Sequence, residues 1–264
     1  PKEISPKLRE EILAKLRKVG YEYLSFECRP DICLACENLE ALNKYFEGSV
    51  NVGLGLETSN DFIRINTLNK GFRLDVFEKA VKKLNEHGIE WSAYVLLGKP
   101  FLTEGENIED AVNTLLYAFR KGAKLGVLMV ANLQPYTLTY WLWEHALYSP
   151  PRLWSALEVL RRLPDKYRER TTIKGVYRAI PKPVLYARNC EKCTTEVVDA
   201  ILRFDLTRDY SHLEEVEDIC SCKDEWLREI SKKPKESLMD RLIHYYKFIA
   251  KSILGSTESI EVVG

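Results

Sequence analysis

Two periods of hydrophobicity alternate through the first half of the chain. Leu8, Ile12, Leu13 and Leu16 recur at helical spacing, and residues 21–27 then read as a strand. A helix is expected near 34–46 and a strand over Val50–Glu57. Phe77, Ala80, Val81 and Leu84 mark one face of a helix over 72–87 that stops at Gly88. A strand over Ile89–Leu97, a helix over 106–121 stopped by Gly122 and an apolar strand over Leu125–Ala131 complete four β/α units. The known closed α/β barrel takes about eight strands, so the expected fold class is α/β with an open or partial sheet.

From residue 132 the rhythm changes to helices rich in Trp and Tyr, then to a stretch with few apolar runs. Residues 194–203 read as helical. A last amphipathic helix over 236–254, carrying Leu238, Leu242, Tyr245, Tyr246, Ile249 and Ile253, is read as packing. The expected organisation is therefore a β/α unit over 1–135 and a mostly helical, basic region over 136–264.

Composition narrows the class. With 264 residues, 45% hydrophobic, the chain is long enough for a substantial core. It has no run of about 18 apolar residues and no secretion signal, so no membrane partner and a cytoplasmic location are expected. Pro1 is not an initiating residue, and sequence removed upstream by processing or truncation is expected.

The 39 basic and 39 acidic residues cancel, but they are unevenly placed. Between 151 and 190 ten Lys or Arg face three acids. Arg161, Arg162, Lys166, Arg168, Arg170, Lys174 and Arg178, interleaved with Trp154, Tyr167 and Tyr177, form a candidate nucleic-acid surface. A solvated face of a highly charged protein is an equal reading.

Seven cysteines are present. Cys190-x2-Cys193 followed after 26 residues by Cys220-x-Cys222 has the pairing of a tetrahedral metal site. Zinc is the default ion and would be structural, since all four ligands come from protein. An iron–sulfur cluster or four free thiols are alternatives. Cys28, Cys33 and Cys36 are read as buried thiols.

Ligands of parallel sheets bind beyond the carboxyl ends of strands, which singles out two segments. Glu27-Cys-Arg29-Pro-Asp31 offers a carboxylate and a guanidinium two residues apart. Gly53-Leu-Gly55-Leu-Glu57-Thr58-Ser59-Asn60-Asp61 permits close backbone approach, although Thr58, Ser59 or Asn60 serves equally as a helix cap. Pro100–Glu104 and Asn132-Leu-Gln134-Pro135 end the next two strands, with amides suited to ligand binding or to capping. No triad, P-loop or dinucleotide fingerprint is present.

Together these segments resemble the radical S-adenosylmethionine (SAM) superfamily, in the branch of the Elongator catalytic subunit. The resemblance narrows to the radical SAM subunits of archaeosine synthases through Asn69-Lys-Gly-Phe72, Tyr94-Val-Leu-Leu97, Pro100-Phe-Leu-Thr-Glu104, Pro150-Pro-x-Leu-Trp-Ser155, Asn189-Cys-Glu-Lys-Cys193 and Phe204–Asp209. It spans roughly residues 1–230. It implies a partial (β/α) barrel of radical SAM type with a mostly helical C-terminal extension carrying the four-cysteine metal site. It also implies an enzyme that turns a lysine-adducted 7-deazaguanine in the tRNA D-loop into archaeosine. Reductive cleavage of SAM at a 4Fe-4S cluster would start that reaction, and a C–N bond of the lysine chain would break. tRNA, the lysine-transferring subunit and a missing N-terminal segment are the implied partners.

By the same resemblance Glu27, Arg29, Glu57 and Thr58 are expected at SAM, and Gly55, Asn132 and Gln134, read from the strand ends, complete the expected cofactor set. No catalytic residue is assigned. The chain departs from the family pattern at Gly98-Lys99, at Met129-Val130 and at Ile180-Pro-Lys-Pro183. Cys28-x4-Cys33-x2-Cys36 is one residue longer than the Cys-x3-Cys-x2-Cys that holds the cluster. The cluster ligands are therefore expected upstream, and this chain alone is expected to be inactive. A metal-stapled nucleic-acid-binding module without catalysis, or a related radical SAM tRNA enzyme with another substrate, are the competing expectations.

Overall fold

The computed structural model describes residues 4–36, 39–46 and 48–255. Helix α1 (Pro6–Val19) is capped by the Ser5 side chain, which accepts from Leu8 N at 3.3 Å, and ends at Gly20 with φ 86°. Then come β1 (Tyr23–Cys28), α2 (Pro30–Leu34), α3 (Glu40–Tyr45), β2 (Ser49–Glu57), α4 (Asp61–Asn66), α5 (Leu74–Glu86), β3 (Glu90–Leu97), α6 (Glu104–Arg120) and β4 (Leu125–Val130). The second half supplies α7 (Leu138–Glu144), α8 (Leu153–Arg162), α9 (Asp165–Arg168), β5 (Thr171–Lys174), α10 (Thr194–Thr207), α11 (Ser211–Glu214), α12 (Cys222–Ile230) and α13 (Leu238–Leu254).

The five strands form one parallel sheet in the order β1-β2-β3-β4-β5. Because each connection moves one place in the same direction, right-handed crossovers put the connecting helices on one face. Strand alternation then decides the character of each face. Val50, Val52, Leu54 and Leu56 of β2, with Trp91, Ala93, Val95 and Leu97 of β3, are buried in the main core against the helices. Phe77 of α5 meets Trp91 edge-on, with ring centroids 5.7 Å apart. The alternate positions carry Ser25, Glu27, Asn51, Gly53, Gly55, Ser92 and Tyr94, a polar and glycine-rich inner face. On it Ser92 Oγ donates to Asn51 Oδ1 at 2.9 Å.

The four expected strands and the helices over 72–87, 106–121 and 236–254 are present with ends shifted by a few residues. Three features differ. The expected helix at 34–46 is two short helices, and its residues 37 and 38 lie outside the described residues, as does Pro1. The helix expected from 106 begins at Glu104, because Thr103 and Glu106 form a reciprocal capping box. The sheet also gains a fifth strand from residues 171–174, beyond the expected organisational boundary at 135. Thr171, Thr172 and Ile173 are buried there although the segment is short, polar and flanked by cations. No helix among the described residues is long and apolar enough to cross a membrane.

Candidate functional site

A cleft of about 660 Å³ opens on the inner face at the carboxyl end of the sheet, lined by Glu27, Arg29, Gly53, Gly55, Glu57, Lys70, Tyr94 and Met129 among others. The glycines make room for neighbouring side chains. A Cβ on Gly53 would stand 2.6 Å from the Tyr94 ring, and one on Gly55 would stand 3.1 Å from Glu57 Oε1 and 3.3 Å from Lys70 Nζ. The register slips by one residue between Gly55 and Glu57, and Glu57 takes a left-handed φ of 61°. That bulge turns its carboxylate to Lys70, whose Nζ lies 2.8 Å from Glu57 Oε1. Lys70 itself is presented by a turn in which Asn69 and Gly71 have φ 46° and 75°.

Arg29 grips Asp31 through Nε at 3.0 Å and Nη2 at 2.9 Å, and Nη2 also donates to Lys70 O at 3.2 Å. Asp31's bond holds the Arg29 pKa above its ordinary value and Arg29's bond holds Asp31 below the usual carboxylate range. The guanidinium lies 5.6 Å from the Phe72 ring centroid. Burial, then donation to the Glu27 carboxylate, pushes the Tyr94 phenol above its ordinary pKa. The cleft therefore offers two carboxylates, two cations and a phenol in a space suited to a charged small molecule.

Thr58, Asn132 and Gln134 stand elsewhere. Thr58 is buried; its hydroxyl donates to Asp110 Oδ1 at 2.7 Å, and Asp110 Oδ2 lies 2.9 Å from the buried Lys99 ammonium. Asn60 performs the helix capping, accepting from Phe62 N at 2.9 Å and Ile63 N at 3.3 Å. Asn132 donates to Gly175 O at 2.6 Å and accepts from Ala187 N at 3.1 Å, while Gln134 donates to Pro181 O at 3.1 Å. Those amides brace the segment after β5. Glu104 of the 100–104 segment is likewise structural: it accepts from Arg152 N at 2.7 Å, and burial raises its carboxyl above the ordinary range.

Lys70, Tyr94 and Arg64 are the residues that sequence reasoning left without a role. Arg64 is fully buried and donates to Leu56 O at 2.8 Å and to Thr58 O, fixing the end of β2 beneath the cleft. The sequence signals for Tyr94 are its place in the Tyr94–Leu97 motif and among the alternate, non-core positions of β3.

The four C-terminal cysteines converge as their spacing requires. Cys190 Sγ lies 3.6 Å from Cys193 Sγ and 3.5 Å from Cys220 Sγ, and Cys193 Sγ lies 3.6 Å from Cys222 Sγ. All four sulfurs lie within 4.8 Å of one another. Metal–sulfur bonds of about 2.3 Å in a tetrahedron set sulfurs about 3.8 Å apart, so the set suits one tetrahedral ion. A bond from the Cys220 thiol lowers Cys190 to about 7, whereas burial raises Cys193. Trp154 Nε1 donates to Cys222 Sγ at 3.3 Å, and the Thr194 hydroxyl donates to Cys190 O at 2.7 Å. It is the one such group of three or more ligands among the described residues. Cys28, Cys33 and Cys36 instead line a small apolar cavity beside Leu13 and Phe26.

Most of the expected nucleic-acid cations are engaged internally. Arg161 and Arg162 both bind Glu158, at 2.6 and 2.7 Å. Arg168 donates to Leu160 O at 3.1 Å and Leu163 O at 3.2 Å, Arg170 to Lys124 O at 2.9 Å, and Lys174 pairs with Asp205 at 2.9 Å. Lys166 rests 4.8 Å from the Tyr167 ring centroid and Arg178 4.9 Å from that of Tyr177. Residues 161–170 thus sit where β4 and β5 begin, at the sheet edge opposite the cleft, whereas Lys174 and Arg178 lie on the cleft side.

No family model matches the sequence. It is 31% identical to archaeosine synthase subunit beta of Methanosarcina acetivorans over 85% of this chain and 64% of that protein. It is also 31% identical to archaeosine synthase subunit beta of Thermococcus kodakarensis over 85% of this chain and 68% of that protein. The chain belongs to the archaeosine synthase subunit beta family. It spans about two-thirds of the length of these relatives. The fold of this family member matches that of the archaeal Methanocaldococcus infernus Elp3 with an N-terminal deletion, at TM-score 0.54 and 18% identity, over 78% of this chain and 47% of that one. The α/β fold expected from the sequence is therefore the fold observed, and it is shared with that Elp3.

Proposed function

We propose that this chain is the cofactor-binding and RNA-facing portion of a radical SAM enzyme that converts a lysine-adducted 7-deazaguanine of the tRNA D-loop to archaeosine by C–N cleavage. The observation that supports this reading most directly is the match to archaeosine synthase subunits beta along 85% of the chain. The cleft adds chemical support. SAM carries a carboxylate, an amine, ribose hydroxyls and a sulfonium, and the cleft sets the cations Arg29 and Lys70 beside the carboxylates Glu27 and Glu57.

SAM and a 4Fe-4S cluster, when both are bound, would supply the radical chemistry of the reaction. In this reading Arg29 holds the SAM carboxylate, Glu27 and Glu57 accept from its amine or hydroxyls, and Gly55 leaves the strand surface open. Thr58, Asn132 and Gln134 act one step back, by fixing the strand ends. The cluster thiolates come from outside this chain, which by itself binds SAM without starting the reaction. The four-cysteine site holds a structural zinc, and the partner is the subunit that installs the lysine.

Calorimetric titration of SAM tests the assignment. Wild type is expected to bind, and Glu57→Gln to bind at least tenfold more weakly. No SAM affinity in the wild type, with RNA binding intact, would favour the non-catalytic module instead.

A further inference from the structure

The segments that follow β4 and β5 form an exposed rim at the carboxyl edge of the sheet, next to the cleft. Leu133 N donates to Leu185 O at 2.9 Å and Val184 N to Leu133 O at 2.8 Å, locking the two segments together. The Asn132 and Gln134 bonds already described add three further cross-links, and Ala179 N donates to the Tyr186 hydroxyl at 3.1 Å. The rim is thus a fixed frame.

What this frame displays is unusual for a surface. Tyr136 is 101% exposed, Ile180 96%, and Tyr177 51%. Tyr136 and Arg178 have left-handed φ of 63° and 47°, which places each at the tip of its turn. The sequence holds no Asp or Glu from Lys121 to Trp143 or from Arg170 to Cys190. Arg178, Lys182 and Arg188 project from the second segment, and none of the three enters an ion pair among the described residues. At the opposite edge Arg161 and Arg162 pair with Glu158, Arg168 pairs with Asp165 and Arg170 is held by backbone carbonyls; these three cations have no such partner acid among the described residues.

We infer that this rim is the surface on which the RNA docks, with unpaired bases stacking on Tyr136 and Tyr177 and phosphates meeting Arg178, Lys182 and Arg188. The assignment rests on the proposed tRNA substrate and deepens it by placing the contact. Exposed aromatics on a rigid frame stack unpaired bases whatever their identity, and an acid-free stretch favours a polyanion over an apolar protein partner. Adjacency to the cleft fits an enzyme that acts on a base turned out of a loop.

The test measures binding of a D-loop-containing tRNA transcript to the full chain at several salt concentrations. Tyr136→Ala and Tyr177→Ala should each weaken binding by about tenfold, in line with the loss of one stacked base. Arg178→Glu with Lys182→Glu and Arg188→Glu should weaken it further and flatten its salt dependence. Tyr136→Trp should retain affinity, which separates stacking from mere structural damage. Arg161→Glu with Arg162→Glu should bind as wild type does. Platform variants that bind tRNA normally overturn the placement but leave the proposed enzyme standing; a wild-type chain that binds SAM and no tRNA overturns both. Loss of a protein partner with RNA affinity unchanged would reassign the rim to that partner and overturn the inference.

Discussion

Lys70 Nζ lies 2.8 Å from Glu57 Oε1 across the space that a side chain at position 55 would occupy. Both groups are one-fifth exposed, so their mutual orientation is set by the bulge at Glu57 and the turn at Lys70. Gly55→Ala is expected to push the pair apart and to weaken SAM binding about tenfold. The fold should tolerate the change, because the crowded atoms are the ends of flexible side chains. Calorimetry with thermal unfolding checks it, and unchanged SAM affinity would remove Gly55 from the site.

The buried Thr58–Asp110–Lys99 chain should matter for stability. Asp110→Asn leaves the fully buried Lys99 ammonium without its counter-charge, and the expected cost is about 3–5 kcal/mol. Thr58→Val removes two hydrogen bonds, the donation to Asp110 Oδ1 and the acceptance from Asn60 N at 3.0 Å, but strands no charge, and should cost about 2 kcal/mol. Urea unfolding measures both, and equal costs would contradict the ion-pair argument.

Metal content gives a third expectation. Purified protein should carry about one zinc per chain, and chelation should lower its melting temperature. Cys193→Ser, at the buried ligand, should abolish metal binding and destabilise the α10–α12 region. A folded chain whose metal-free form melts at the same temperature would exclude a structural ion.

Glu104 supplies a pH dependence. Burial raises its carboxyl pKa in the folded state, so the folded chain holds the proton more tightly than the unfolded chain. Between the unfolded value of about 4.3 and the raised folded value, stability falls as pH rises. Wild type should therefore gain stability relative to Glu104→Gln as pH is lowered from neutral toward the unfolded value of about 4.3. Urea midpoints across that range check the sign, and a gap that is constant or moves the other way would refute it.

The sequence alone determined the local periods and the ligand spacing. Val50-Asn-Val-Gly-Leu-Gly-Leu-Glu57 alternates core and cleft positions one by one, so strand and site are written in the same eight letters. The two cysteine pairs likewise declared themselves, because a chelating turn needs only a few residues. Tertiary structure decided what depends on pairing between distant segments. Thr171–Lys174 becomes a strand only because β4 offers it an edge, and a polar stretch of four residues carries too little pattern to announce that. The cations of residues 161–170 look like one basic patch in sequence. Their meaning changes once the strand direction carries them to the edge away from the cleft and Glu158 binds the first two. Thr58, adjacent to Glu57, turns inward because successive side chains leave a strand in opposite directions, and only the position of α6 shows that Asp110 waits there.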